Sequence, residues 1–148
     1  MSRGAPRTAG PRRILFVCVE NSNRSQMAEA FARSLGGDRV EAWSAGSRPS
    51  GKVNPRAVSA MQEKGIDLTS HRSKSIEEVS RLQFDAVVTM GCGDECPNVQ
   101  APVREDWSIP DPRDMQPEEF RGVRDLIEAS VKGLLLRLET VGSARITP

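Results

Sequence analysis

The chemistry open to this chain is concentrated in three cysteines, one arginine and one aspartate. Cys18 begins the run Cys18-Val19-Glu20-Asn21-Ser22-Asn23-Arg24-Ser25, which leaves the apolar stretch Ile14–Cys18 and enters a stretch with helical spacing. A loop between a strand and a helix N-terminus can aim successive backbone N–H groups at one point, and the helix end adds partial positive charge. Val19 to Ser25 are therefore candidates to cradle a tetrahedral oxyanion. Arg24, six positions after Cys18, can return its planar fork to two of the oxygens. The same field favours a thiolate, because thiols at helix N-termini beside a cation ionise below their ordinary value of about 8.5. Ser25 can donate a hydrogen bond to that sulfur. A lone cysteine at a strand end is more often a small core residue, but a cysteine, five residues and then Arg-Ser at a strand-to-helix turn is far more specific. The implied chemistry is nucleophilic attack by sulfur on an oxyanion centre.

The other two cysteines lie in Met90-Gly91-Cys92-Gly93-Asp94-Glu95-Cys96-Pro97. One helical turn would bring their Cα atoms to roughly 6 Å, inside the usual disulfide range of about 4.4–6.8 Å. Gly91 and Gly93 give freedom to a cysteine that must move. His71 is the single histidine and no second Cys or His pair exists, which argues against zinc. Passive core thiols do not suit a segment carrying Asp94-Glu95, and an inert disulfide does not suit a reducing compartment. A redox relay is the reading that remains. Asp111-Pro112, stiffened by Pro110, offers a proton donor for an oxygen leaving the attacked centre, although Asp-Pro is also an ordinary turn dipeptide. Asp114 reads as surface.

Positioning these groups requires a regular scaffold. Ile14–Cys18 and Asp85–Met90 read as short buried strands, Val40–Ser44 as another short strand and Val103–Trp107 as a candidate fourth. Ser25–Leu35 has helical spacing and stops at Gly36-Gly37. Ala45–Val53 reads as a loop. Asn54 and Pro55 signal a helix start whose run ends at Gly65. Ser75-Ile76-Glu77-Glu78 has capping-box spacing for a helix to about Leu82, and Pro117–Leu138 carries a long helical pattern. Alternating strands and helices predict an α/β fold with a parallel sheet and ligands at the carboxyl ends of its strands, where Cys18 and Cys92 fall.

The chain has 148 residues, 37% hydrophobic and 28% charged, which fits one globular domain. Lys plus Arg number 21 against 20 Asp plus Glu, a balance that argues against a nucleic-acid surface. No apolar run approaches the roughly 20 residues of a membrane span, and Met1–Arg13 lacks the apolar core of a secretory signal. Residues 1–12 are expected as a disordered tail, 13–140 as the domain and 141–148 as a C-terminal tail. An odd number of cysteines without a signal points to working thiols in the cytoplasm, and a monomer is expected.

The run VCVENSNRSQMAEAF, Val17–Phe31, resembles the active-site loop of the low-molecular-weight tyrosine phosphatase superfamily. More narrowly it is similar to the thioredoxin-coupled arsenate reductases. Gln26-Met27-Ala28-Glu29 is typical of that branch, whereas the phosphatases usually have proline in place of Gln26. The resemblance runs from about Ile14 to Leu138 and includes Trp43-Ser44-Ala45-Gly46, Val53-Asn54-Pro55, Gly65-Ile66-Asp67 and Asp111-Pro112. It implies a four-stranded parallel sheet in the order 2-1-3-4, flanked by helices. It also implies arsenate reduction for detoxification: Cys18 as nucleophile, Arg24 as clamp, Asp111 as acid, then Cys92 and Cys96 as successive resolving thiols. Phosphate and sulfate would compete for the loop. The implied electron donor is thioredoxin, with no bound cofactor. Such reductases often have a longer spacer between the relay cysteines, so glutathione or glutaredoxin stands as the alternative donor.

Two other functions fit parts of the pattern. A phosphatase acting on phosphotyrosine or small phosphoesters would use the same loop. The phosphatases, however, usually carry tyrosine just after Asp-Pro, where this chain has Arg113 and no tyrosine anywhere. A non-catalytic thiol sensor or arsenic-binding protein would use the cysteines but has no need of an acid. Related reductases can also hold potassium beneath the loop. Asn21, Glu29 and Ser44 match ligand positions of that site, and the remaining acidic position aligns with Lys74. The expectation is that the Lys74 ammonium replaces the ion and pairs with Glu29, against the plainer reading of a solvated charge. His71 reads as a helix-start or surface residue.

Overall fold

A computed structural model describes residues 10–91 and 99–146, with residues 140–146 as backbone only. Cys92 and Cys96, with the relay assigned to them, lie outside the described residues. The order is β1 (Arg12–Cys18), α1 (Arg24–Gly36), a single 3-10 turn (Gly37–Arg39), β2 (Val40–Gly46), α2 (Pro55–Gln62), α3 (Ile76–Val79), β3 (Ala86–Thr89), β4 (Val103–Asp106) and α4 (Pro117–Ile146). The strands form one parallel sheet in the order β2-β1-β3-β4, the predicted topology. Among the described residues no helix is long and apolar enough to cross a membrane.

Side chains alternate across a strand, and β1 shows the consequence. Ile14, Phe16 and Cys18 face a large core with Met27, Phe31, Met61, Ile127 and Leu134, so α1, α2 and α4 cover that face. Leu15 and Val17 face a smaller core with Val79, Phe84 and Val87. Register aligns Cys18 with Gly46 and Val17 with Thr89, so β1, β2 and β3 end together. Their carboxyl ends make the shelf from which the oxyanion loop departs.

Several elements differ from the sequence expectation. β2 runs two residues into the expected loop, through Ala45 and Gly46, because they continue the ladder with Val17 and Cys18. Arg12, expected in the tail, begins β1 through pairing with Val40. The capping box at Ser75 does not form: Ser75 makes no side-chain cap bond, and Glu78 instead pairs with Arg72 at 2.7 Å. That helix is accordingly a single turn, ending at Val79 rather than Leu82. Asn54 does cap α2, accepting from the Arg56 N–H at 2.9 Å. α4 continues past Leu138 to Ile146, since no proline interrupts it there and its apolar stripe is already docked.

Phe31 is fully buried between α1 and the sheet. Truncating it to Ala removes a large side chain from a close-packed core, which typically costs about 3–5 kcal/mol. Urea denaturation of Phe31→Ala should show that loss as a lower midpoint with an unchanged slope.

Candidate functional site

The loop from Cys18 to Arg24 is held from outside through its own carbonyls. Val19 O accepts from the Arg48 N–H at 2.8 Å, Glu20 O from the Ser50 N–H at 3.1 Å, and Ser22 O from the Asn54 N–H at 3.0 Å. Glu20 O also accepts from Ser73 Oγ at 2.8 Å, and Asn21 O from Gln26 Nε2 at 3.1 Å. In a trans peptide the C=O of one residue and the N–H of the next point in opposite directions. With these carbonyls turned outward, the N–H groups of Glu20, Asn21, Ser22 and Asn23 turn toward the inside of the loop.

Asn21 makes the turn possible. Its φ is 52, the one positive value among described non-glycine residues, and asparagine tolerates that region better than most. Its carboxamide oxygen accepts from Gln26 Nε2 and from the Lys74 N–H, both at 2.9 Å. Its Nδ2 donates to Ser25 Oγ at 2.7 Å, and Ser25 Oγ lies 2.9 Å from Cys18 Sγ. Because Ser25 Oγ already accepts the Asn21 N–H, its own proton is free to point at the sulfur, as a thiolate requires. Gly46 lets β2 pass behind: a Cβ there would sit 2.6 Å from Val19 O.

Arg24 and Asp111 complete the site. The Arg24 side chain is largely buried; Nη1 donates to Ile109 O at 3.0 Å, and Nη2 stands 3.9 Å from Asp111 Oδ2. The Asp111 carboxylate is 46% exposed and accepts from the Arg113 N–H at 3.1 Å, so its second oxygen is available to a ligand. Cys18, Ser22, Asn23, Arg24, Gly91 and Asp111 line one cavity of about 330 Å³, with Val19, Glu20, Arg48 and Arg113 at the same opening. A larger cavity of about 630 Å³ lies at the opposite end of the strands, between Arg12, Val40 and Leu138. It holds no nucleophile, and the smaller, polar cavity is the one with chemistry.

Beneath the loop Glu29 is 3% exposed and bound on several sides. Ser44 Oγ donates to Oε1 at 2.5 Å, and Arg33 Nη2 is 2.7 Å from Oε2. Lys74 Nζ lies 3.7 Å from Glu29 Oε1 and 3.4 Å from Ser44 Oγ. Burial pulls the Lys74 ammonium below its ordinary 10.5, and the Glu29 carboxylate offsets this only in part. Lys74 is thus a partly desolvated cation inside the structure rather than a solvated one. His71 is also not a surface residue. Its Nδ1 lies 3.0 Å from Gln26 Oε1 and 3.9 Å from Glu29 Oε2, and burial pushes the imidazole below its ordinary 6.5 against the pull of Glu29. The expectation of exposure failed because the segment after His71 runs under the loop to deliver the Lys74 N–H.

Sequence reasoning did not single out Gln26, Arg48 or Arg56 as site residues. Gln26 is fully buried at a core position of α1; a long polar residue within Met27, Ala28 and Phe31 was the available signal. Arg56 donates through Nη1 to Arg113 O at 3.0 Å and through Nη2 to Met115 O, with its guanidinium 5.5 Å from the Phe120 ring centroid. It ties the Asp111 loop to the start of α2.

The sequence matches the family described as low molecular weight phosphotyrosine protein phosphatase over residues 13–144. It is 37% identical over 130 residues to a glutaredoxin arsenate reductase of Synechocystis, covering 86% of this chain and 98% of that protein. It is 42% identical over 123 residues to arsenate reductase 1 of Staphylococcus epidermidis, covering 80% and 92%. A solved structure of an arsenate reductase in the phosphate binding state superposes with a TM-score of 0.79 at 36% identity, covering 85% of this chain and 98% of that one.

Gly91 has φ +70, and a Cβ there would lie 2.5 Å from Arg24 Nη1. Gly91→Ala should displace the guanidinium and strain the backbone. Inorganic phosphate affinity, measured by calorimetry, is expected to fall about tenfold or more, the loss of one charge-assisted bidentate contact.

Proposed function

We propose that this chain, which belongs to the low molecular weight phosphotyrosine protein phosphatase family and to its arsenate reductase branch, reduces arsenate to arsenite by a relay of three thiols. The observation that carries this reading is the Cys18 sulfur at the floor of a pocket bounded by Arg24 and Asp111, with Ser25 aimed at the sulfur. Names borne by its relatives supply the substrate class.

In the first step the Cys18 thiolate attacks arsenic(V). An S–As bond forms, one As–O bond breaks, and Asp111 protonates the departing oxygen, which leaves as water. The inward N–H groups and the Arg24 fork hold the remaining oxygens and take up their charge. In the second step Cys92 attacks the Cys18 sulfur. An S–S bond forms, the S–As bond breaks, and its electron pair leaves with arsenic as arsenite. In the third step Cys96 attacks the Cys92 sulfur and frees Cys18, leaving a Cys92–Cys96 disulfide for an external dithiol. Two electrons pass to arsenic and two thiols are oxidised. Gly91, the residue before Cys92, lines the same pocket as Cys18, which supports Cys92 as the first resolving thiol. Thioredoxin is the proposed donor, and the glutaredoxin named for the Synechocystis relative makes a glutathione-linked donor the second reading. A relay reset by reduction belongs in a reducing compartment such as the cytoplasm.

In this reading Lys74 takes the place of a bound potassium ion beneath the loop. An ammonium 3.7 Å from Glu29 and within reach of Ser44 and of Arg72 O at 3.5 Å has the charge and contacts of a small monovalent cation. Turnover is therefore expected to change little when sodium replaces potassium, whereas Lys74→Asp should become potassium-dependent. Arsenate-dependent NADPH oxidation in the two salts checks this; severalfold activation of the unaltered protein by potassium would refute it.

The relay itself is tested with thioredoxin, thioredoxin reductase and NADPH. The unaltered chain should turn over continuously, and Cys96→Ser should release about one arsenite per protein and then stop. Robust p-nitrophenyl phosphate hydrolysis, with no arsenate turnover from thioredoxin or from glutathione and glutaredoxin, would make the chain a phosphatase.

A further inference from the structure

Glu20 is an unexpected residue for its position. It places a carboxylate at the opening of a pocket whose floor is arranged to attract anions, where an uncompensated negative charge would repel the substrate. The carboxylate is compensated: Glu20 Oε2 lies 2.7 Å from Arg113 Nη1. Glu20 belongs to the loop that carries the nucleophile, two residues after Cys18, and Arg113 to the loop that carries the acid, two residues after Asp111. Both side chains are about half exposed, and ion pairs so exposed contribute little to stability. The two loops are already joined through Arg24 to Ile109 O, and the acid loop is anchored through Arg56 to Arg113 O. The pair is therefore not needed to hold the fold together.

We propose that the Glu20–Arg113 ion pair is a strap across the mouth of the pocket that admits free oxyanions and excludes oxyanion esters. Sulfur enters opposite the leaving oxygen, so the leaving oxygen must face Asp111. In a free oxyanion that oxygen carries only a proton and leaves as water. In an ester it carries the organic group, which must emerge from the pocket beside Asp111, where Arg113 reaches across to Glu20. The Arg113 backbone is pinned on both sides, its N–H to Asp111 Oδ1 at 3.1 Å and its carbonyl to Arg56 Nη1 at 3.0 Å. The Arg113 backbone is therefore fixed, and the strap opens by parting the Glu20 and Arg113 side chains rather than by a shift of the loop.

The inference rests on the pocket as an oxyanion site but not on electron transfer, and its test uses neither arsenate reduction nor the relay cysteines. The probes are p-nitrophenyl phosphate and inorganic phosphate as its competitor. Cys18 displaces p-nitrophenol with protonation by Asp111, and water then releases phosphate from the sulfur. The quantity read is kcat/KM for the ester relative to the affinity for inorganic phosphate. Glu20→Ala and Arg113→Ala should each raise this ratio about tenfold, the scale of a steric discrimination at a pocket. The charge-swapped pair Glu20→Arg with Arg113→Glu should bring it back toward the starting value. If the pair acted by charge alone, the two single variants would move ester turnover in opposite directions, Glu20→Ala up and Arg113→Ala down. That result would overturn the strap, as would an unchanged ratio in both single variants or a swapped pair that behaves like them.

Discussion

A set of backbone donors must stay open to an oxyanion while no oxyanion is there. N–H groups that converge on one point have lost their local partners, and their peptide planes would rotate to find others unless held. The carbonyl on the opposite side of each plane holds it. Val19, Glu20, Asn21 and Ser22 each have their carbonyl taken by another segment. The strand end at Gly46, the loop through Arg48 and Ser50, the start of α2 at Asn54 and the stretch from Arg72 to Lys74 are all required at that one place. This explains why a substantial length of irregular chain between β2 and β3 is well packed around the loop. Gln26 is the central tie, because one buried amide reaches Asn21 twice and Arg72 O once.

A second demand follows. A bound oxyanion places negative charge above a buried Glu29. A carboxylate 3% exposed needs local compensation, and Arg33, Lys74 and Ser44 supply it. His71 stands at the side of this cluster with its protonated form disfavoured by burial. It accordingly contributes a hydrogen bond to Gln26 rather than another charge. Lys74 has two functions on one residue: its N–H fixes Asn21 and its ammonium balances Glu29. The loop conformation and the charge beneath it are therefore coupled through a single backbone step.

Much of this was legible in the residues. The strand pattern, the helix stops at Gly36-Gly37 and Gly65, and the Asn54-Pro55 start each rest on local physics, and each marked an observed element within a few residues. The strand order did not come from periodicity; it came from the likeness of the loop and of Asp111-Pro112 to a known family. Cys18 and Arg24 could be named because their spacing has few other uses, Asp111 only through the family likeness, and the structure brings all three to one pocket. What stayed hidden was long-range. Ser75 has a capping sequence, but Arg72 takes its Glu78. His71 looks like any polar residue at a turn until the chain around it is seen to pass under the loop. Arg56 is ordinary in sequence and Arg113 is notable only for standing where the phosphatases usually carry tyrosine; both acquire a role because α2 and the acid loop meet. No local pattern encodes a contact between residues separated by 57 or 93 positions.

The phosphatases and the reductases of this family can share one cradle because it serves only the first half of either reaction. Attack by sulfur and protonation of the leaving oxygen are the same for phosphorus and arsenic. The paths separate at the adduct. A phosphoenzyme must admit water to the central atom, so its pocket has to release an organic group and then take up a nucleophile along the same line. In the proposed relay, a thiol–arsenic adduct is resolved at the sulfur instead, by a second thiol. Nothing need ever pass beside Asp111 except water. A site working in that second way can tolerate a bridge across its mouth at the acid, and a site working in the first way cannot. In this chain the position after Asp111-Pro112 holds Arg113, and it reaches the nucleophile's own loop.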